Sequence, residues 1–266
     1  MNRSHFLRFC LAVAGAALTG PGAAVARSPA DGYTLLMGAV NNFSINQYVF
    51  KDMPYDPFGF TPITLAVDTP QVIVVNAKVP VNSLKDLIHY AKSHQVDLGS
   101  QGIGTTTQIA LGMLNQAGGV NIQHVPYKGA GAVTPAVLSG EVQVAIAGLP
   151  NVQSLIKSGA LRALAVTSQS RMSALPDVPT TVEAGFPSVV ISNWFGLVAP
   201  GGLNPAIVEK LHDAAAQALK VPSVVKTIED AGMVVVASTP GEMDRRIRDG
   251  ARQFAPVIEA AGIVKQ

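Results

Sequence analysis

Glycine-rich turns that follow predicted strands are the segments of this sequence best suited to bind a ligand. One of them, residues 102–107 (GIGTTT), leads into a predicted helix. The free N–H groups at the start of a helix, aided by the helix dipole and by threonine hydroxyls, bind an anion without a charged side chain. Residues 38–44 and 127–131 form two further turns of this kind. Because ligands of open α/β sheets gather at the carboxyl ends of strands, the three turns predict a site for a small anion.

Two other interpretations of residues 102–107 stay open at the level of sequence. The first is a dinucleotide-binding loop, but the glycine spacing is G-x-x-G-x-G and no acidic residue follows at the distance that would suit a ribose. The second is a helix capped by threonine that binds nothing.

The motifs of the common enzyme classes are missing. The sequence contains no G-x-S-x-G, no H-E-x-x-H and no phosphate-binding G-x-x-x-x-G-K-[ST]. His89 and His94 lack a third ligand at a suitable spacing, and His124 on an alternating strand is better explained as a hydrogen-bonded structural histidine. We therefore expect no catalytic residue, no metal site and no cofactor.

Composition indicates a folded protein that does not bind polyanions. Of 266 residues, 48% are hydrophobic and 14% are charged, which excludes a disordered chain. The net charge of +2 leaves no broad basic face, so nucleic acid is not an expected partner. The single cysteine, Cys10, lies in the apolar N-terminal run, so a mature chain would lack disulfides, zinc–thiolate sites and a cysteine nucleophile.

The N-terminal region predicts export. Arg3 and Arg8 precede or border an apolar run over residues 9–18, which is too short to span a bilayer, and residues 24–26 (AVA) fit a signal-peptidase site. We therefore expect residues 1–26 to be a signal peptide and the protein to be periplasmic. The alternative is a buried N-terminal helix. The residues before Cys10 suit lipid acylation poorly, so a soluble protein is expected rather than an anchored one.

Hydrophobic periodicity predicts alternating strands and helices. Helices are expected from Ser83, from Thr105, over 205–219 and 223–231, and from a capping box at residues 239–242 (TPGE). A loop is expected around residues 54–62. This rhythm favours an α/β fold with largely parallel strands. The predicted strands are residues 33–37, 71–75, 98–100, 120–124, 142–146, 161–166 and 233–236.

Five ordered motifs resemble those of one family. They are residues 31–38 (DGYTLLMG), 124–129 (HVPYKG), 161–167 (LRALAVT), 175–180 (LPDVPT) and 194–200 (WFGLVAP). Together they resemble the Bug/TctC-like receptors, the extracytoplasmic solute-binding proteins of tripartite tricarboxylate transporters.

The resemblance implies an α/β, two-lobe periplasmic binding protein of the type II-like, clam-shaped kind. The first lobe would be residues 27–75 plus 191–266, and the second would be residues 76–190. It also implies a monomer that binds a small organic acid or amino acid and passes it to the membrane subunits of a transporter.

Carried over by resemblance, the ligand contacts fall in both lobes. The resemblance implies a carboxylate-bearing ligand held by backbone amides, hydroxyls and bridging waters, and two aromatic residues would either wall the cleft or pack at the hinge. The residues are Val40, Asn41, Asn42 and Ser44 in the first lobe, Gly104, Thr105, Thr106, Tyr127 and Lys128 in the second, and the aromatic pair Trp194 and Phe195.

Three departures from the family pattern produce further expectations. Ala147 and Gly148 stand where an aspartate is usual, and Gln108 stands where a histidine is usual. The segment that normally precedes the strand at 33–37, with its P-x-G-G loop, is missing. We therefore expect a truncated first lobe with an unpaired strand edge at 33–37, and weak or absent binding. Cleavage near residues 16–17 is then an alternative to residue 26. The rival functions are a binding-deficient remnant and an exported enzyme on a similar scaffold.

Overall fold

The computed structural model describes residues 8–11, 19–263 and 265, which divide into two compact units. Unit 1 contains the described residues of Met1–Asp68 and Trp194–Pro256, together with residue 265. Unit 2 contains Thr69–Asn193 and Val257–Ile263. Each unit combines helices with strands, as the predicted α/β class requires.

Strands and helices alternate along most of the described chain. The strands are β1 (Arg8–Leu11), β2 (Thr34–Ala39), β3 (Thr61–Asn76), β4 (Asp97–Ser100), β5 (Gln123–Pro126), β6 (Val144–Gly148), β7 (Leu161–Val166), β8 (Ser192–Ala199) and β9 (Val234–Val235). The helices are α1 (Thr19–Ala26), α2 (Asn46–Val49), α3 (Leu84–Ala91), α4 (Thr106–Gly118), α5 (Ala130–Ser139), α6 (Leu149–Lys157), α7 (Pro205–Ala218), α8 (Pro222–Asp230) and α9 (Pro240–Ala260), with a π-helical turn at Asn41–Ile45.

In unit 1, β2 is paired on both of its edges. It runs antiparallel to β8, and β1 lies parallel to it in the register Arg8↔Thr34 to Leu11↔Met37. The expectation of an unpaired edge at residues 33–37 is therefore wrong for the full chain, in which residues 8–11 occupy that edge. Residues 8–11 supply the hydrogen-bonding partner along this edge of β2.

In unit 2, the sheet has the order β7-β3-β6-β4-β5. Strand β4 is parallel to β5 and β6, as the βαβα rhythm predicted, but β3 is antiparallel to both of its neighbours in this unit. The prediction of a largely parallel sheet is thus wrong for β3. With Gln71 opposite Gly148, β3 enters the sheet at the edge where β6 ends.

The predicted helix caps are confirmed, but the turn predicted over residues 38–44 is partly helical. Ser83 Oγ accepts a hydrogen bond from Asp86 N at the start of α3, and Thr239 and Glu242 bond reciprocally before α9. Residues 41–49, part of which was expected to form a strand-end turn, are helical instead. Three of their apolar side chains are buried in the core, which a solvated turn would not achieve: Phe43, Ile45 and Val49.

Candidate ligand-binding site

One edge of the unit 2 sheet collects the ends of four strands. Strands β4, β5, β6 and β7 finish there, at Ser100, Pro126, Gly148 and Val166. The antiparallel β3 contributes Gln71, which pairs with Gly148. The carboxyl edge of an α/β sheet is the usual place for a ligand.

The turn between β4 and α4 uses its own hydroxyls to hold its shape. Thr105 Oγ1 donates to Gly102 O at 2.7 Å, and Thr107 Oγ1 accepts from Gln101 N at 3.0 Å. Gly102 and Gly104 have φ of +130° and +72°, a backbone region that favours glycine. Within the described residues no side chain caps α4, although Thr105 has the extended backbone of an N-cap residue. The first-turn N–H groups of this helix are thus left for another acceptor.

Gln71 lies against the first residue of α4. Its side chain is only 3% exposed, and Nε2 donates to Thr106 Oγ1 at 2.8 Å. Gln71 Oε1 and Thr69 Oγ1 are buried and have no hydrogen-bond partner in the part of the chain that is described. Sequence reasoning missed both residues. The available signal was a glutamine that opens the otherwise apolar run QVIVV.

A chain of hydrogen bonds through Gln108, His124 and Ser100 links the two glycines of the turn between β4 and α4. Gly104 N donates to Gln108 Oε1 at 2.7 Å, so the amide nitrogen of Gln108 faces His124 Nδ1 at 3.3 Å. His124 Nε2 contacts Ser100 Oγ, which also accepts from Gly102 N. Burial lowers the pKa of His124, which favours the neutral ring. With the Gln108 NH₂ group facing Nδ1, the tautomer that fits these contacts accepts at Nδ1 and carries its proton on Nε2. The prediction of a hydrogen-bonded structural histidine is confirmed.

The two predicted residues after β5 are placed differently from the threonines. Tyr127 N donates to Ser100 O, so its backbone adjoins the turn. Its hydroxyl instead donates to Glu141 Oε1 at 2.7 Å, and burial together with this carboxylate raises the pKa of Tyr127 to about 12. Lys128 is exposed. The structure therefore brings Gly104, Thr105 and Thr106 together and directs the Tyr127 hydroxyl elsewhere.

The predicted residues of unit 1 lie where β2 passes into the π-helical turn. Asn42 Oδ1 accepts from Ala39 N, and Ser44 Oγ donates to Ile247 O, both at 2.9 Å. Val40 is buried and Asn41 is half-buried. Trp194 is buried, and the half-buried Phe195 pairs with Ala39 across β2 and β8. These bonds hold the Asn42 and Ser44 side chains within the unit.

The described residues contain neither a metal cluster nor a membrane-spanning helix. Within residues 8–11, 19–263 and 265, no group of three or more His, Cys, Asp or Glu residues could bind a metal ion. In the same residues, no helix is long and apolar enough to cross a membrane.

The α/β fold in two units is that of a periplasmic binding protein. The family model described as "Tripartite tricarboxylate transporter family receptor" matches residues 12–263, and the chain belongs to this family. Its members are solute receptors, so the chain is a receptor and not an enzyme.

Individual relatives agree with this assignment. BugT of Bordetella pertussis is 32% identical over 243 residues, which cover 90% of this chain and 74% of that protein. The structure of R. palustris Rpa4515 with adipate is 31% identical, with a TM-score of 0.81 over 95% of this chain and 85% of that one. The periplasmic binding protein BugD is 32% identical, with a TM-score of 0.77 over 95% of this chain and 86% of that one.

Proposed function

We propose that the chain is an extracytoplasmic receptor that captures a small carboxylate-bearing ligand at the start of α4 for a tripartite tricarboxylate-type transporter. The observation that carries this proposal is the first turn of α4, which lies at the strand-end edge of the unit 2 sheet. Among the described residues, no side chain caps this turn. The adipate in the related R. palustris structure supports a carboxylate as the bound group.

The chemistry of the turn explains why a carboxylate would bind there. The N–H groups of the first turn and the positive end of the helix dipole favour an anion. Because Thr105 and Thr107 are already bonded within the turn, their role is to fix the backbone that presents these N–H groups. A small organic acid or an amino acid meets this requirement, and neither a cofactor nor a metal ion is needed.

Export to the periplasm is part of the proposal. The basic start and the apolar run at residues 9–18 are typical of a leader, and the related BugD is a periplasmic binding protein. Helix α1 contains residues 24–26, and its Val25 is buried in unit 1. This burial favours the cleavage position near residues 16–17, because α1 would then remain in the mature chain. Strand β1 would be removed with the leader, which would expose the edge of β2 that it covers in the full chain. A monomer that docks on transporter membrane subunits completes the proposal.

A pair of isosteric variants tests the carboxylate site. Thr105→Asp would place a carboxylate at the N-cap of α4, where it accepts the first-turn N–H groups itself and repels an anionic ligand. Thr105→Asn would offer the same shape without the charge. The two variants are compared by calorimetric titration with a panel of C4–C6 dicarboxylates and amino acids. The dissociation constant of the aspartate variant should be at least roughly tenfold higher than that of the asparagine variant.

Stability separates a blocked site from a damaged fold. Aspartate and asparagine are both good N-cap residues, and both replace the hydroxyl that donates to Gly102 O, so the two variants should unfold cooperatively at urea midpoints equivalent to within about 1 kcal/mol of each other. Equal affinities of the two variants for an acid that the wild type binds would contradict a carboxylate at the start of α4. A wild-type chain that binds no member of the panel would contradict the receptor proposal itself.

A further inference from the structure

The side-chain amide of Gln71 is bonded at one end only. Nε2 donates to Thr106 Oγ1, while Oε1 is buried with no partner among the described residues. Leaving a buried carbonyl oxygen without a donor is costly, so each such atom in a native protein calls for an explanation, and a bound water, ion or ligand is one of them. The missing partner must be a hydrogen-bond donor.

The orphaned oxygen lies beside the proposed carboxylate site. Thr106 holds the Gln71 amide and is the first residue of α4. The N–H groups in the uncapped first turn of this helix would donate to the carboxylate. Thr69 is two residues before Gln71 on β3, so its side chain projects from the same face of the strand, and its hydroxyl is also buried without a partner in the described chain. Two unpartnered polar atoms therefore lie on one face of β3, and the amide that carries one of them contacts this helix start.

We propose that Gln71 selects ligands that carry a hydrogen-bond donor next to the carboxylate, as in 2-hydroxy and 2-amino acids. In this arrangement the ligand carboxylate accepts from the first turn of α4, and the neighbouring hydroxyl or ammonium group donates to Gln71 Oε1. Thr69 Oγ1 is placed to bond to the same polar end of the ligand. The inference rests on the proposed function and deepens it, because it names the class of carboxylate.

Matched ligand pairs test the selection directly. Malate and succinate differ by one hydroxyl group, and so do 2-hydroxyglutarate and glutarate. In calorimetry on the wild-type chain, the hydroxy acid of each pair should have a dissociation constant at least about tenfold lower than that of the unsubstituted acid. The reason is that the unsubstituted acid leaves the Gln71 oxygen unpaired. Aspartate compared with succinate extends the test to an ammonium donor.

The variant Gln71→Met identifies the residue responsible. Methionine has a similar length but cannot accept a strong hydrogen bond, so the ratio of the two affinities should fall to within about threefold of one. Because a general folding defect would weaken both ligands of a pair alike, the ratio reports the lost acceptor. Gln116→Met, at an exposed position later on α4, is the matched control and should keep the wild-type ratio.

Each outcome decides between the two proposals. Equal binding of both acids by the wild type would overturn the selection by Gln71 and leave the carboxylate receptor intact, as expected if a buried water satisfies Oε1. Tighter binding of the unsubstituted acids would mean that the amide presents its NH₂ group instead, which also overturns it. A preference that survives in Gln71→Met would assign the selection to another residue. Binding of no acid at all would overturn both proposals.

Discussion

The indole ring of Trp194 stacks on the phenyl ring of Phe43, with ring centroids 5.8 Å apart and ring planes 4° apart. Phe43 lies in the π-helical turn after β2, and Trp194 lies on β8, the strand that pairs with β2. The two residues are 0% and 1% exposed, and Phe60 packs edge-on against Phe43. The turn that carries three of the predicted ligand contacts is therefore anchored to the core of unit 1 by an aromatic side chain.

Removing this anchor should destabilise unit 1. Phe43→Ala is expected to lower its free energy of unfolding by about 3–5 kcal/mol, the usual range for truncating a buried aromatic residue. Trp194 is the only tryptophan of the sequence, so its fluorescence during urea unfolding reports on unit 1. The control Phe58→Ala removes a ring that is 36% exposed and lies under Arg248, and it should cost about 1 kcal/mol or less. Equal losses in the two variants would contradict the anchoring role.

The pairing of β1 with β2 predicts a length-dependent protection of β2. In the full chain, alternate amides of Thr34–Ala39 bond to residues 8–11 and should exchange slowly with deuterium. A chain that starts at residue 19 lacks this partner, so exchange at those amides should be about tenfold faster or more. The amides of β6, between two other strands of unit 2, serve as the internal control. Unchanged exchange at β2 would mean that β1 contributes no protection.

Signals that act over a few residues could be predicted from the sequence. The cap at Ser83 and the box formed by Thr239 and Glu242 are confirmed because their side chains bond to backbone groups only three residues away. Strand β7 has the bounds that its β-branched and apolar run predicted. The family resemblance rested on motifs of the same local kind, and the family model confirms it.

Features that depend on distant partners could not be predicted. The direction of β3 is decided by pairing with β6 and β7, which lie about 70 and 90 residues further along the chain. The partner of the β2 edge was missed because residues 9–18 read as a leader by composition. The unpartnered oxygen of Gln71 depends on its contact with Thr106, which no periodicity reveals. Side-chain orientation was missed at Tyr127, whose hydroxyl bonds to Glu141.

The contact between Tyr127 and Glu141 predicts an altered tyrosine titration. Burial comes first among the causes that raise the pKa of Tyr127 to about 12, followed by the hydrogen bond and the charge of Glu141. Glu141→Gln removes the charge, so this pKa should fall toward the ordinary value of 10.0. Absorbance of tyrosinate against pH, with Tyr127→Phe subtracted, measures the shift. Glu259→Gln, at an exposed position on α9, is the control, and a Tyr127 pKa that does not change in Glu141→Gln would contradict the assignment.

The half-buried His124 should make the folded protein less stable as the pH falls. Burial holds its pKa below the ordinary 6.5 in the folded state. As the pH drops through 6.5, the unfolded chain therefore takes up a proton that the folded chain does not, and the free energy of unfolding decreases. The decrease continues until the pH passes below the folded pKa, where both states are protonated. Above 6.5 the contribution of this residue is fully present.

Protonation of His124 should also weaken the turn before α4, and this effect gives the decisive measurement. A proton on Nδ1 would face the NH₂ group of Gln108, whose oxygen holds Gly104 N, so two donors would oppose each other. His124→Gln removes the titrating ring, and urea unfolding followed by circular dichroism at pH 5 to 8 should show a shallower pH dependence than the wild type. His89→Gln, at an exposed position on α3, should keep the wild-type slope. If the slopes of wild type and His124→Gln coincide, His124 does not couple protonation to the stability of this turn.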